Sequence, residues 1–550
     1  MTLDLDKLVR PEIAALEPYR SARGEAPDPS GFLLLDANEN PYPDRLQGKG
    51  DALNRYPEPQ PRRLKARLAR FYGLAEEGLL ITRGSDEGID LLLRAFCRPG
   101  EDAVITCPPT FGIYAVAAQI QGAALVEVPL DQDCQLDIAA ITAAAEKTST
   151  KLIFICSPNN PTGNDMEHTG ILRLAADLPQ TLIIVDEAYI EFSGSPSLAA
   201  RIAGQPNLVV LRTLSKAFGL AGVRCGSVLA GPEIIAVLRR VLAPYPVPTP
   251  VADAACEAVG PAGLARMAYE VEQLSAARDQ MIGALGGVAD VQKIFPSSAN
   301  FLLVRFADSD AVCQRLKARG ILVRDLSAKL PGCLRLSLGT AQENELLLQA
   351  LGIDSAPAVC SRRAKRTRTT NETSIFAAVD LDRPAAAVVD TGIAFFDHML
   401  EQLGKHGGFA LTLKAEGDLQ VDPHHTIEDC AILLGETLRE ALGSKAGIAR
   451  YGFTVAMDEA RAQAIIDLSG RAYCRFEGQF DGPSVGGMPT ELVPHVFRSL
   501  ADSLGAAIHI RLDGDNDHHK VEASFKALGR ALRMAIRRDG GEIPSTKGQL

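Results

Sequence analysis

Short apolar runs punctuate the first part of the chain: Leu79–Thr82, Ala103–Thr106, Ala124–Leu130, Lys151–Cys156, Thr181–Val185, Leu208–Leu211 and Ser227–Ala230. Helical stretches such as the amphipathic Glu87–Cys97 separate them. Unbroken apolar runs alternating with helices predict a parallel or mostly parallel α/β sheet. Beyond residue 390 the pattern changes, and two long amphipathic helices each open on a pair of adjacent histidines.

In an open α/β sheet, ligands bind beyond the carboxyl ends of the strands. The polar residues at those ends therefore carry the first functional signal. KLIFIC runs into SPNNPTG, which places Asn160; TLIIV runs into DEAY, which places Asp186 and Tyr189. LVVLRT runs into Leu214, Ser215 and Lys216, with Arg224 eight residues on. After Leu79–Thr82 come Arg83, Gly84, Ser85 and Asp86, a tight turn into a helix whose free N–H groups suit a phosphate. Singly each is ordinary: a lone lysine is a solvated charge, Asp186 a cap, Asn160 a turn residue, Ser85 an N-cap. Together they fit pyridoxal phosphate (PLP). A desolvated Lys216 can form a Schiff base with a carbonyl, and Asp186 can keep a pyridine nitrogen protonated. Asn160 or Tyr189 can donate to a ring phenolate, and Ser85, Asp86 (through its N–H), Ser215 and Arg224 can hold a phosphate.

Length and charge narrow the picture. A chain of 550 residues suits two or three domains. Its net charge of −11 gives no general attraction to nucleic acid or anionic membranes, and no apolar run approaches a membrane span. Eleven scattered cysteines without a CxxC pair predict reduced thiols, and the N-terminus predicts no signal peptide, so a cytoplasmic location is expected. Between the two patterns lies IDSAPAVCSRRAKRTRTT, read as a linker over residues 354–366 leading into an exposed strand.

Of nine histidines, eight fall between His398 and His519; the other is His168. They form a duplication. His398 precedes His424, His425 and Glu428 by 26 residues, and His495 precedes His518, His519 and Glu522 by 23. Helical spacing lets each glutamate act with a neighbouring histidine. Six histidines and two glutamates suit two metals, each with three histidines and a carboxylate, and the ligand types alone allow Zn, Fe, Ni, Co or Mn. His406 and His509 have no repeat partner and read as structural.

RGSDEGIDLL, CSPNNPTG, DEAYIEF, RTLSKAFGLAGVRCG, APYPVPTPVAD and GCLRLSLGT resemble the histidinol-phosphate aminotransferases over residues 1–353. The resemblance implies a fold-type I PLP transferase: a large domain with a mostly parallel sheet, and a small α/β domain of the N-terminal arm and residues 285–353. It implies a homodimer in which Tyr56 reaches the partner's cofactor. Arg335 would bind the substrate α-carboxylate, and Arg324 and Tyr19 the phosphate of histidinol phosphate. Where many relatives carry tyrosine against the cofactor ring, this chain has Phe111, which keeps the stacking and loses the hydroxyl.

FFDHML, HGGF, DPHHTIED, GIARYGF, MDEARA, DLSGRAY, NDHHKVE and PSTKG resemble the imidazoleglycerol-phosphate dehydratases over residues 367–550. This implies an α+β domain of two similar halves, two Mn²⁺ sites per subunit and a 24-subunit shell with sites between subunits. Glu372 is then a proton-transfer candidate, and Arg450, Arg471, Ser545 and Lys547 would hold the substrate phosphate. The dehydratase product, imidazole acetol phosphate, is the aminotransferase's keto substrate, with glutamate as amino donor, so the two resemblances imply consecutive steps of histidine biosynthesis. The competing readings are a transaminase of other specificity, such as an aromatic one, and a C-terminal half that only scaffolds assembly.

Overall fold

The apolar runs form the N-terminal sheet of a computed structural model that describes residues 3–17, 37–42, 53–353, 362–454 and 458–545. The chain divides into an N-terminal unit, residues 1–259 and 267–355, and a C-terminal unit holding residues 356–550.

Seven strands make the large sheet in the order β1-β7-β6-β5-β4-β2-β3. They are β1 (Leu79–Thr82), β2 (Ala103–Thr106), β3 (Ala124–Glu127), β4 (Thr150–Cys156), β5 (Leu182–Asp186), β6 (Leu208–Thr213) and β7 (Gly226–Leu229). From β3 to β6 all pairings are parallel; β7 runs antiparallel to both β6 and β1. β3 stops at Glu127, short of the expected Leu130: Val128 and Leu130 still donate to Thr106 O and Pro108 O, but Pro108 lacks the N–H that would return a bond to this edge strand. The central strands are buried on both faces, as parallel sheets under helices are, with Ile184, Val209 and Leu211 fully inaccessible. β5 lies in the middle, so its C-terminal Asp186 has parallel neighbours on either side.

A second sheet, β10-β11-β9-β8, is built from β8 (Val291–Ile294), β9 (Phe301–Phe306), β10 (Arg324–Asp325) and β11 (Cys333–Ser337). It packs on the helices Ser309–Ala318 and Ala341–Ala350, the latter opened by a Thr340–Glu343 capping box. The N-terminal arm was expected with this small sheet. Its described residues lie elsewhere: Leu8 and Val9 are buried in the large sheet's core, and the Arg10 N–H donates to Ala95 O at 3.1 Å. The apolar side chains of this short arm find their cover there.

The C-terminal unit is a structural repeat. One sheet orders β12 (Arg363–Thr369), β13 (Thr373–Asp380), β15 (Ala410–Gly417) and β14 (Val388–Asp390). The other orders β16 (Tyr451–Thr454), β17 (Arg461–Asp467), β21 (Ala507–Asp513) and β18 (Tyr473–Glu477), and a small ribbon, β19 (Ser484–Val485) and β20 (Met488–Pro489), stands apart. Each four-stranded sheet has two antiparallel pairings and one parallel pairing in the same places.

Two helices accompany each half, and they exchange partners. Ala394–Gly407 of the first half packs on Asp517–Ile536 of the second, while His424–Leu442 packs on Leu492–Leu504. Glycine permits both crossings. A β-carbon at Gly435 would press on Ser503 Oγ and sit 3.0 Å from Leu500 O; one at Gly529 would sit 3.0 Å from Leu403 O. Each glycine follows the first histidine of its pair by the same eleven positions.

The span expected to be linker does not remain one to its end. Arg363 already pairs with Asp380 in the β12–β13 ladder. The basic run is an edge strand whose charges meet carboxylates: Arg363 with Asp380 at 2.7 Å, Arg366 with Glu440 and Arg368 with Asp429 at 2.8 Å. Charged side chains of this kind also guard a sheet edge against pairing with another chain.

Candidate functional sites

The strand ends of the large sheet surround a cavity of about 970 Å³. Ser85, Asp86, Phe111, Asn160, Asp186, Tyr189, Ser215, Lys216, Arg224, Arg324 and Arg335 all line it. These are the residues expected to hold cofactor and amino-acid substrate, except Tyr56 and Tyr19. Tyr19 lies outside the described residues, and the half-exposed Tyr56 stacks on Tyr245 at 4.5 Å, away from the cavity wall.

Lys216 follows β6, with its ammonium 5.5 Å above the Tyr189 ring. Its tip is reachable from solvent, yet the cavity walls crowd it. Desolvation, and then the guanidinium of Arg335, hold it below the ordinary lysine range. Asp186, only 2% exposed, is pushed up to about 6 by burial, against the opposing pull of hydrogen bonds from Tyr114 and the Ala188 N–H.

A cradle for an anion lies at the start of the helix Ser85–Phe96. Arg224 Nη2 reaches Asp86 at 2.8 Å, and Nη1 stands 3.4 Å from Ser215 Oγ. Two glycines let the backbone come this close. A β-carbon on Gly84 would lie 2.7 Å from Arg224 Nη2, and one on Gly226 would lie 2.6 Å from the Ser85 nitrogen.

At the opposite wall, β10 and β11 set Arg324 directly across from Arg335. Arg335 donates to Asn160 Oδ1 and lies 5.3 Å above the Phe301 ring, while its buried Nε has no partner among the described residues. Two neighbouring guanidiniums in a concave site favour an anion between them. The cavity's size, its orphaned donor and its glycine-lined cradle fit PLP together with an anionic substrate. Sequence reasoning missed Lys329, which also lines the cavity, and Tyr114, which sits behind Asp186.

In the C-terminal unit the helix exchange redistributes the histidines. His495 Nε2 lies 3.1 Å from Glu428 Oε1, and His424 Nε2 lies 4.0 Å from Glu428 Oε2. The ligand atoms of His424, Glu428 and His495 all fall within 4.8 Å of one another. Among the described residues the buried His495 Nε2 makes no well-directed hydrogen bond, its approach to Glu428 included, which leaves the nitrogen free to face a metal. His398 and His518 face Glu522 at 3.8 and 3.5 Å, but Lys526 draws that carboxylate at 2.7 Å and the second nest is looser. Each nest thus pairs one half's histidine–glutamate helix with the other half's upstream histidine. These donors suit a divalent metal.

The expected three histidines and one carboxylate do not assemble within one chain. The second histidine of each pair turns away, because adjacent helical positions point in different directions. His425 Nδ1 lies 3.4 Å from Glu372 and 3.6 Å from Asp418, and His519 Nδ1 lies 2.7 Å from Glu459. Glu372 precedes β13 and Glu459 precedes β17, so the two carboxylates are repeat counterparts. Asp458 and Glu459 were missed, although Glu459 lies just before β17, as Glu372 lies just before β13.

Among the expected phosphate-holding residues, Arg450 is engaged by Asp467 at 2.7 Å and donates to Pro544 O at 2.9 Å, next to Ser545. Arg471 is exposed, and Lys547 lies outside the described residues. His406 is partly buried, which keeps its imidazole below the usual range, and His509 packs 5.3 Å from Tyr473.

Residues 26–351 match the family described as aminotransferase class I and II, and residues 391–532 match the imidazoleglycerol-phosphate dehydratase family. A histidinol-phosphate aminotransferase of Stenotrophomonas maltophilia is 47% identical over 367 residues, covering 65% of this chain and all of that one. One from Yersinia enterocolitica is 45% identical, over 64% of this chain and 95% of its own length. The crystal structure of histidinol-phosphate aminotransferase from Sinorhizobium meliloti in complex with pyridoxal-5'-phosphate superposes with a TM-score of 0.50 at 27% identity, over 54% of this chain and 82% of that one.

Proposed function

This chain belongs to the aminotransferase class I and II family through residues 26–351, and from that premise we propose that it is a bifunctional enzyme of histidine biosynthesis. Its C-terminal unit dehydrates imidazoleglycerol phosphate to imidazole acetol phosphate. Its N-terminal unit transaminates that product with glutamate, giving histidinol phosphate and 2-oxoglutarate. The observation that carries this reading is the convergence of Lys216, Asp186, Asn160, Arg224 and Arg335 on one cavity at the strand ends.

PLP, when bound, supplies an electron sink for charge developing next to the amino nitrogen. Lys216 would hold the cofactor covalently and carry the proton that moves during transfer; its lowered basicity suits both tasks. Asp186 would hold the ring nitrogen, Phe111 would stack on the ring, and Ser85, Ser215 and Arg224 would hold the phosphate. Arg335 would clamp the substrate carboxylate. Arg324, facing it, would take the substrate's second anion, the distal carboxylate of glutamate or the phosphate.

In the C-terminal unit His424, Glu428 and His495 would hold one metal, and His398, His518 and Glu522 a second; we assign Mn²⁺ to both. A divalent metal on the imidazole supplies Lewis acidity where no carbonyl acidifies the carbon–hydrogen bond. Glu372, 3.4 Å from His425, would take the proton. His425 and His519, turned outward, would complete nests on neighbouring subunits, which fits aminotransferase dimers carried on a 24-subunit shell. No helix among the described residues is long and apolar enough to cross a membrane, in keeping with a cytoplasmic enzyme.

Separate assays test the two assignments. Histidinol phosphate with 2-oxoglutarate should yield glutamate faster than phenylalanine or tyrosine does. Faster turnover of the aromatic amino acids would favour the transaminase of other specificity. Imidazoleglycerol phosphate left untouched by the Mn²⁺-loaded protein would reduce the C-terminal unit to a scaffold.

A further inference from the structure

Asp186 carries two hydrogen bonds, one on each oxygen. The Ala188 N–H donates to Oδ1 at 3.1 Å, and the Tyr114 hydroxyl donates to Oδ2 at 2.8 Å. Among the described residues Tyr114 is the only side chain that donates to this carboxylate. It is wholly buried, in the helix Ile113–Gln121. Its ring is clamped, stacked on Phe154 of β4 at 4.9 Å and 8°, and edge-on to Phe111 at 5.6 Å and 88°. Phe111 in turn lines the cavity. One buried ring thus connects the carboxylate at the sheet's centre with the aromatic side chain on the cavity wall.

We infer that Tyr114 is a positioning residue of the aminotransferase site, aiming Asp186 through its hydroxyl and seating Phe111 through its ring. Resting on the aminotransferase reading above, this gives the phenol two tasks in holding the cofactor without touching it. A carboxylate with one oxygen fixed by the main chain and the other by a rigid phenol has one direction left in which to meet a cationic ring nitrogen. The hydroxyl also favours the charged carboxylate, because it donates to it. Burial pushes the phenol of Tyr114 far above its ordinary range, so it remains a donor at every working pH.

The other titratable groups facing Asp186 do not compete for this task. Cys156 of β4 also lies beside the Tyr114 hydroxyl, but burial keeps it protonated and it points to Pro158 O at 3.3 Å; Tyr189 is likewise held protonated by burial. Lys216 beyond β6 and Asp86 of the helix Ser85–Phe96 act on Asp186 only through space, the first favouring its ionised form and the second opposing it. Removing the phenol hydroxyl leaves a buried carboxylate oxygen without a donor, which costs a charged group more than a neutral one.

The holoenzyme variant Tyr114→Phe tests this with the shape of the core preserved. Cofactor affinity, measured by equilibrium dialysis of PLP, should fall roughly tenfold or more, the scale of a lost hydrogen bond to a charged group. The acid limb of the bound cofactor's visible absorbance, titrated with pH, should move to higher pH, because Asp186 takes up its proton earlier. In an Asp186→Asn background the same substitution should change affinity little, since the group it acts through is gone. Phe154→Leu, which loosens the same ring but keeps the hydroxyl, should move the acid limb in the same direction and by less than Tyr114→Phe does. Unchanged affinity and an unmoved acid limb in Tyr114→Phe would overturn the inference, as would equal losses in the wild-type and Asp186→Asn backgrounds. Failure of the wild-type protein to take up PLP would instead overturn the aminotransferase reading itself.

Discussion

His495 stands 3.1 Å from Glu428, a carboxylate of the other repeat, and not beside Glu522, the glutamate of its own. The mirror relationship holds for His398, which faces Glu522. The exchange follows from packing: each histidine-bearing helix crosses a helix of the opposite half. Neither half, taken alone, can build either of these two histidine–glutamate nests.

Metal content checks this crosswise pairing. His495→Ala and Glu428→Gln should each empty the same nest, so the double variant should bind no less metal than the weaker single variant. His495→Ala combined with Glu522→Gln should lose both metals. Elemental analysis after gel filtration reads the outcome. The reverse pattern would place His495 with its own repeat.

Lys216→Ala should abolish transamination and the visible chromophore of the lysine-bound cofactor, while dehydration persists near the wild-type rate. Lys216 belongs to the cavity at the strand ends, in the unit that holds none of the histidine nests. Replacing Arg335 should weaken the binding of every amino-acid substrate, by roughly 1.5–3 kcal/mol for a lost charged contact. Arg324→Ala should weaken phosphorylated histidinol more than unphosphorylated histidinol. Competition measurements with the two ligands separate the roles.

Asp186 makes apoprotein stability depend on pH. Its folded-state pKa, about 6, lies above the ordinary 3.8. A carboxyl raised by folding stabilises the fold below its unfolded pKa, and that stability is lost as pH rises through about 6. The loss amounts to about 3 kcal/mol. Urea unfolding of the cofactor-free protein between pH 4 and 7 should therefore show a falling wild-type curve against a flatter Asp186→Asn curve. Parallel curves would contradict the assignment.

Gly435→Ala should destabilise the C-terminal unit by about 1–3 kcal/mol, because the added methyl meets Ser503 Oγ where two helices cross. Ser503→Ala should restore part of the loss by removing that oxygen. Aminotransferase activity should survive in both variants, and thermal melts followed by each activity separate the two units.

What the sequence disclosed and what it withheld have physical causes. Asp186, Asn160 and Lys216 were legible because a parallel strand is an apolar run, and the polar residue that ends it lies at the ligand-binding edge. The repeat was legible because each histidine pair and glutamate sit within one helical turn. The helix exchange was not, because it joins residues such as Glu428 and His495 that no local spacing relates. Tyr114 was hidden for the same reason: it reads as one more apolar position on a helix, and its partner lies 72 residues away. The basic run before Thr367 read as linker because its carboxylate partners, among them Glu440, arrive only on folding.

The central claim, that one chain performs two consecutive steps, is tested most directly by following phosphorus resonances in a single reaction. Wild-type protein loaded with PLP and Mn²⁺ is given imidazoleglycerol phosphate and glutamate. Histidinol phosphate should appear, with 2-oxoglutarate in equal amount, and in Lys216→Ala the reaction should stop at imidazole acetol phosphate. Imidazoleglycerol phosphate that remains unchanged, or imidazole acetol phosphate that accumulates with the wild-type protein and never becomes histidinol phosphate, would contradict the account.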